Sequence, residues 1–545
     1  MSTKIEKDQD LTRVQPGVEK VKSDKRIKAI SPGSDGFYHP ANEDEIVQLV
    51  KRANEDGLQV RASGSHHSVH AAIFTDHFEV PHHGAERGAK KGGEAGINIL
   101  LDRMINVKFH DNMRVTVQAG CHLGKDPADP TKTSTEENSL FYQLDRHGWA
   151  LPTMGGIIHQ TVAGFMSTGS AGGTLQHSLG EHIAAIRLVD GKGEIHELSE
   201  AKDSGKFFAA GVSMGLFGII TAVTFKCLKK FHVIGEEVTT KVEDCKIDLF
   251  GSGGNGKPSL QKYLEDTEHA RLLWWPQKGA EKITVWEGHT MRPEDYNSQT
   301  GSFENFKPKP YKQFPELFNS NLPAQIFAGI YYRLIKRWNA AGLLGSITRF
   351  FLKFLLAPSI SFFAETVGEG GRQSFWDTWW KVLPMDNKLS DKWIPFEFME
   401  MWVDISKTQQ VMNQLKQHFE QNGLSATGVY PFEFYVKKKS EFWMSPAYGK
   451  NILKINFFWF GKNKENPSST YFPQFWKLFR EFDYRLHWGK YLPEDPLQGV
   501  QYLRARFPQW DDFMKLRAEL DPNQIFVSDY WRKKLGIAPS PSLAK

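Results

Sequence analysis

Cysteine is nearly missing from this chain. Its 545 residues hold three, Cys121, Cys227 and Cys245, and none stands in a C-x-x-C pair. They read as reduced thiols of a cytoplasmic protein. A signal-peptide core is lacking as well, since the first residues, MSTKIEKDQDLTRV, are polar and charged. No basic run exceeds a few residues, and a net charge of +5 is thin over this length. Nucleic acid is therefore not the expected partner. Nor is there an unbroken apolar stretch of about 20 residues, which a spanning helix needs. The most apolar segment, AAGLLGSITRFFLKFLLAPSISFFAE at 340–365, is interrupted by Arg349, Lys353 and Pro358. Two readings of it are open. It is a helical hairpin packed on the body, or a helix lying on a membrane surface with Arg349 and Lys353 snorkelling. Packing on the body is the favoured one, which leaves 340–364 as a candidate for peripheral membrane contact.

What the chain has in quantity is aromatic. Phe, Trp and Tyr make up 13%, with 39 Phe and 16 Trp, beside 40% hydrophobic and 24% charged residues. That balance gives a globular protein with a large core and suits broad apolar surfaces or a flat ligand. Residues 1–37 read as a charged N-terminal arm. NEDEIVQLVKRANEDG, from Asn42, has helical apolar spacing, an Asn cap and a terminal Gly57. LQVRASG, GINILLD, RVTVQAG and GIITAVTFKCL read as strands, and AIRLVDGKGEIHELS as a hairpin turning at DGKG. Residues 77–96, with His77, His82 and His83, read as a solvated Gly- and His-rich insert. Further on, FEFMEMWVDI, VYPFEFYVKKK and ILKINFFWFG predict strands of one sheet, and SSTYFPQFWKLFREFDYR a helix against it. The division expected is 38–232, 233–480 with an apolar helical insert at about 320–365, and 481–545 returning to the first part.

Two glycine-rich stretches compete as phosphate cradles. GSGGNG, residues 251–256, fits G-x-G-x-x-G, but KVEDCKIDLF before it is too charged for a buried parallel strand and Lys257-Pro258 follows at once. It reads as a flexible loop. MGGIIHQTVAGFMSTGSAGGT, residues 154–174, spaces glycines among hydroxyls and apolar side chains. Backbone N–H groups freed by glycine, with hydroxyl donors, cradle a pyrophosphate. A third stretch, VRASGSHHSVH at 60–70, sets His66, His67 and His70 beside a Gly-Ser turn. A metal site there is one reading, though adjacent histidines on a tight turn rarely converge on one ion and no Cys or carboxylate cluster backs them.

Taken in order, VRASGSHHS, VTVQAGC, HGWALPTMGGIIHQTVAGFMSTGSAGG, GVSMGLFGIITAVTF, YPFEFYVKKKSEFWMSPAYGK, LHWGKYLP and FPQWDDFMKLRAELDPNQIFVSDYW resemble the vanillyl-alcohol oxidase superfamily. Within it the chain is similar to the sugar-lactone and sugar-alcohol oxidases: gulonolactone oxidase, D-arabinono-1,4-lactone oxidase and alditol oxidase. The resemblance implies an α+β fold. A two-part FAD-binding domain of the PCMH type is joined to a substrate (cap) domain with an antiparallel sheet flanked by helices. It implies FAD held covalently by His67, with Gly64, Ser65, His66 and Ser68 on the pyrophosphate. FAD bound without the covalent bond and the metal site remain as alternatives. Gly155, Thr161, Gly164, Ser167, Thr168, Gly169 and Gly172 would complete the cradle, and Ile219 and Ile220 the backbone contact to the flavin. Ala119 lies where the family tunes oxygen access.

For the chemistry, the resemblance assigns Lys490 as the cation beside flavin and substrate, His487 as its companion, and Glu433 as the acid of an E-x-R strand motif. Two positions depart from the pattern. Tyr435 stands where arginine is expected, and a phenol offers neither fixed charge nor a guanidinium fork. Lys437, two residues on, would compensate. Ala171 replaces a histidine. Glu400 matches a further family acid and also reads as an ordinary salt-bridge partner. The expected activity is oxidation of a CH–OH group in a sugar-derived lactone, polyol or similar alcohol, with oxygen as acceptor and hydrogen peroxide as product. A membrane-associated dehydrogenase serving a cytochrome- or quinone-like acceptor, and a flavin-binding protein without turnover, are the alternatives.

Overall fold

The structure is a computed structural model. It describes residues 30–313 apart from 77, 79–95 and 171, then short pieces of 322–333, then 342–539 apart from 366–369, 386–394, 462–465 and 495. The arm up to residue 29, His77, His82, His83 and Ala171 lie outside the described residues.

The first half is built on antiparallel pairing. Strands β3 (Val107–His110), β4 (Arg114–Gln118), β8 (Ile219–Lys226), β6 (Ile183–Val189) and β7 (Ile195–Leu198) form one five-stranded sheet in the order β3-β4-β8-β6-β7. The β6–β7 turn carries the predicted D-G-K-G. A separate parallel pair joins β1 (Val60–Ser63) to β2 (Ile97–Leu100), and β5 (Trp149–Ala150) pairs with β9 (Leu228–Lys229). Helix Glu43–Asp56 starts on Asn42, whose side chain accepts from the Glu45 N–H, and ends on Gly57 in the left-handed region. Those two caps fix a helix that buries Ile46, Leu49, Val50 and Ala53.

The second half carries one eight-stranded antiparallel sheet. Its order is β15 (Arg372–Thr378), β10 (His232–Lys241), β14 (Lys282–Thr290), β13 (His269–Trp275), β17 (Phe432–Lys437), β18 (Ile452–Phe460), β16 (Phe396–Asp404) and β19 (Arg485–Leu486). Side chains alternate across a strand, so the two faces separate cleanly. Phe432, Phe434, Ile455 and Phe457 turn one way, and Phe419 of helix Thr408–Asn422 and Phe475 of helix Pro473–Leu478 pack on them at ring separations of 4.6 and 4.2 Å. Glu433, Tyr435, Lys437, Lys454 and Asn456 turn the other way, toward the first half of the chain. All are buried.

The last segment returns to the first. Ile525 O accepts from Val60 N at 2.7 Å. The Trp531 indole donates to Ala72 O at 2.8 Å, and the Arg61 guanidinium donates to Phe526 O at 3.0 Å.

Three local expectations need correction. SSTYFPQFWKLF is two short helices, Pro467–Thr470 and Pro473–Leu478. Pro473 has no N–H to continue a helix and instead starts one. GSGGNG is a tight hairpin, with β11 (Gly253–Gly254) paired to β12 (Lys257–Pro258) and Asn255 and Gly256 both at positive φ. That is the geometry of a two-residue hairpin turn. The apolar segment is not a hairpin folded onto the body. It is one helix, Gly342–Glu365, running through Pro358. Leu356 and Ile360 are buried, yet Phe350 and Phe354 stand 60% and 66% exposed, with Ile347, Phe351 and Leu355 beside them. No described helix is long and apolar enough to cross a membrane.

Candidate active site

Two turns far apart in sequence are seated on each other. One is residues 64–68, which leaves β1 through His66 at φ 58°. The other is residues 487–490, which leaves β19. Val69 N donates to Gly489 O at 2.9 Å, and Lys490 Nζ donates to the His67 carbonyl at 2.9 Å. A Cβ on Gly489 would stand 2.5 Å from Ser68 Oγ, so glycine is what lets the turns close. Trp488 anchors the second turn by donating from its indole to Met444 O at 2.6 Å.

The three histidines of the first turn go separate ways. His66 stacks on Phe37 at 5.8 Å and shares a hydrogen bond with Ser63 Oγ. His67 lies beside His159, ring centroids 6.1 Å apart. His70 is edge-on to Phe74. Among the described residues these three do not gather as ligands for one ion.

A cleft opens beside the two turns. Gly64, Ser65, His66, His67 and Ser68 line it from one segment, Thr161, Gly164, Ser167 and Thr168 from a second, and Ile219, Ile220 and Ala119 from the central sheet. Gly64 is a cradle position, because a Cβ there would meet Thr161 Oγ1 at 2.3 Å. Hydroxyls and glycine-freed backbone lining one cleft are the donor set that a dinucleotide flavin takes, and the residues present fit FAD. Gly155 and Gly172 lie elsewhere, on a smaller pocket that also touches His269 and Tyr435. Gly169 sits below the sheet, its carbonyl accepting from Lys437 Nζ at 3.1 Å.

The polar face of the large sheet meets the turn at 487–490, where His487 N donates to Glu400 O at 3.3 Å. Glu433 Oε1 accepts from the Tyr435 hydroxyl at 2.9 Å and Oε2 from Asn456 Nδ2 at 2.7 Å. Arg271 Nη1, from β13, lies 3.7 Å from Oε1. Lys454 lies 3.5 Å from Glu400, which also accepts from the Trp402 indole at 3.2 Å. Burial alone would raise the Glu400 carboxyl, but the ammonium of Lys454 first, then that of Lys490, with the bond from the Trp402 indole, outweigh it and hold it near 2. Lys437 is pushed down to about 7 by burial and by Lys454, against Glu400. Lys490 lies 3.9 Å over the Phe398 ring, a cation–π contact. Arg271, Asn456, Lys454 and Phe398 escaped the sequence reading. The signal available was period two: Lys454 and Asn456 alternate with leucine, isoleucine and phenylalanine in ILKINFF.

His487 is a neutral imidazole here. Burial pushes it down to about 4, with Lys490, Lys454 and Lys437 acting the same way and Glu400 opposing. Gly489 N donates to its Nδ1 at 3.1 Å, so Nε2 carries the proton and donates to Ser170 Oγ at 3.0 Å. The shift has a consequence for stability. The unfolded imidazole takes a proton near its ordinary 6.5 while the folded one resists until about 4. Stability is therefore complete above pH 6.5 and falls as the pH drops through that window, by something on the order of 3 kcal/mol. Calorimetric melts from pH 7 to 4 will show this decline, and His487→Gln will flatten it. An unchanged slope in the variant would assign the acid loss to other groups.

The model of the D-arabinono-1,4-lactone oxidase family matches residues 257–534. The chain is 23% identical over 505 residues to L-gulonolactone oxidase of Mus musculus, covering 91% of this chain and 94% of the relative. It is 23% identical over 502 residues to L-gulono-1,4-lactone dehydrogenase of Mycobacterium tuberculosis, covering 92% and 96%. Among solved structures, cholesterol oxidase from B. sterolicum superposes with a TM-score of 0.64 at 14% identity, over 92% of this chain and 94% of that one. This last likeness is one of fold.

Proposed function

The chain belongs to the D-arabinono-1,4-lactone oxidase family, and from that premise we propose that it oxidises the carbinol carbon of a sugar-derived lactone, with oxygen as acceptor and hydrogen peroxide as product. It is an FAD-linked oxidoreductase acting on CH–OH donors. The observation that carries the reading is the seating of residues 64–68 on residues 487–490 beneath the polar face that holds Glu433.

When bound, FAD supplies the acceptor for the hydride leaving the carbinol carbon and the route for its two electrons to oxygen. The protein's groups do the rest. Glu433 is held by Tyr435 and Asn456, with Arg271 3.7 Å away, and a carboxylate so fixed can accept the substrate hydroxyl proton. Lys490 provides fixed positive charge where negative charge develops. His487, neutral and proton-bearing at Nε2, holds Ser170 and so the glycine-rich loop. His67 is the residue we assign to the covalent bond with FAD.

Purified protein given a panel of aldonolactones and polyols will bleach its flavin without air and release peroxide in air. Bleaching without peroxide would make it a dehydrogenase that needs another acceptor. No bleaching with any lactone or alcohol would sink the proposal.

The bare face of helix Gly342–Glu365 supports peripheral membrane docking as a second part of this reading. Each exposed phenylalanine gains roughly 1.5–3 kcal/mol on leaving water. Phe350→Ser with Phe354→Ser will cut co-sedimentation with phosphatidylcholine vesicles containing anionic lipid at least tenfold. Equal sedimentation of variant and wild type would dismiss the docking face.

A further inference from the structure

Across the polar face of the sheet, in-register neighbours make a row. Tyr435 on β17 is directly opposite Lys454 on β18, and Lys454 directly opposite Trp402 on β16. The side chain that reaches over Tyr435 is Lys454. Its Nζ lies 4.5 Å from the phenol ring centroid and 5.9 Å from the Trp402 ring. It pairs with Glu400 at 3.5 Å, one step along β16 from Trp402.

Lys454 and the partly buried Lys490 both act on the carboxylate of Glu400, and Lys454, like Glu400, is buried. Lys437 is spent on a backbone carbonyl, Gly169 O, and Lys490 on His67 O. That leaves Lys454 with Glu400 as its carboxylate partner. An ammonium carries three N–H donors, so a buried one is best completed by a further oxygen. Lys454 stands next to Asn456, which holds Glu433, so its ammonium is on the strand that fixes the proposed base.

We propose that Lys454 binds an oxygen of the substrate next to the carbinol, giving the site the positive charge that Tyr435 does not. This deepens the lactone-oxidase reading above and rests on it. An ammonium is a single point charge without the planar fork of a guanidinium. The site therefore fits one oxygen at this position, as on a lactone ring. It follows that arginine at 435 is excluded while Lys454 is present, because the two cations would share one space.

The test is a cycle of Lys454→Met, Tyr435→Arg and the double variant, read by anaerobic flavin reduction and by the flavin spectral shift on titration with L-gulono-1,4-lactone. Lys454→Met is expected to raise KM and the spectral dissociation constant tenfold or more, with a smaller change in kcat. Tyr435→Arg alone is expected to lose at least tenfold in kcat/KM, and the double variant to regain most of it. Lys454→Met leaves Glu400 without its partner, so Lys454→Met with Glu400→Gln, which removes both charges, serves if the single variant does not accumulate. Wild-type lactone affinity in both of these variants would overturn the assignment of Lys454 while leaving the lactone-oxidase reading standing. So would a double variant no better than Tyr435→Arg. A wild type that neither binds nor oxidises any lactone would overturn both.

Discussion

Acid precipitation of the wild-type protein will carry its yellow colour into the pellet, and the His67→Ala variant will leave the pellet colourless. The turn decides which histidine is responsible. His66 spends its ring on Phe37 and Ser63, and His70 lies in a short helix against Phe74. His67 lines the cleft, and its carbonyl is tied by Lys490 to the far turn. Alanine keeps that carbonyl, so the fold of the turn survives and only the ring is lost. His66→Ala is the control and will keep a yellow pellet. The effect is close to all-or-none, read by absorbance of pellet and supernatant. Wild-type colour appearing in the supernatant would mean that FAD is held without a covalent bond and that His67 is a contact only.

Lys490→Met will slow flavin reduction by lactone by about 10²–10³-fold, the usual loss when one preorganised charge is removed from a developing anion. Methionine matches the length of the aliphatic stem and keeps the packing on Phe398, so the change isolates the ammonium. The bond to His67 O is also lost, which should loosen the two seated turns; melting temperature measured alongside separates this from the rate effect. Lys490→Arg keeps the charge and will recover part of the rate. Stopped-flow reduction under anaerobic conditions is the measurement, and a loss of less than threefold would move the catalytic cation elsewhere on the sheet.

The parts of this molecule that could be read early are those whose causes are local. Asn42 and Gly57 announce a helix because capping needs only a few neighbouring residues. The D-G-K-G turn announces β6 and β7 for the same reason. Strands such as FEFYVK declare themselves through alternation. What escaped is set by pairing across distance. Arg271 reaches Glu433 because β13 lies beside β17, and no local pattern in HARLLWW says so. Lys454 matters only because its register puts it opposite Tyr435. The apolar helix misled in another way: Arg349 and Pro358 suggested a break, but helix geometry continues through an internal proline when the neighbouring turns are free to adjust.

The closure of the cleft by the chain's own late segment has an effect on how the protein comes into being. Val60 is tied to Ile525, Ala72 to Trp531, and His67 to Lys490. During synthesis, at about 5–20 residues per second, the early turn emerges long before the residues that seat it. For most of a minute or so the nascent chain holds half a cradle with one wall open to water. On the flavin site proposed above, cofactor capture would come late in biogenesis, because a chain ending before residue 490 lacks the turn on which residues 64–68 are seated.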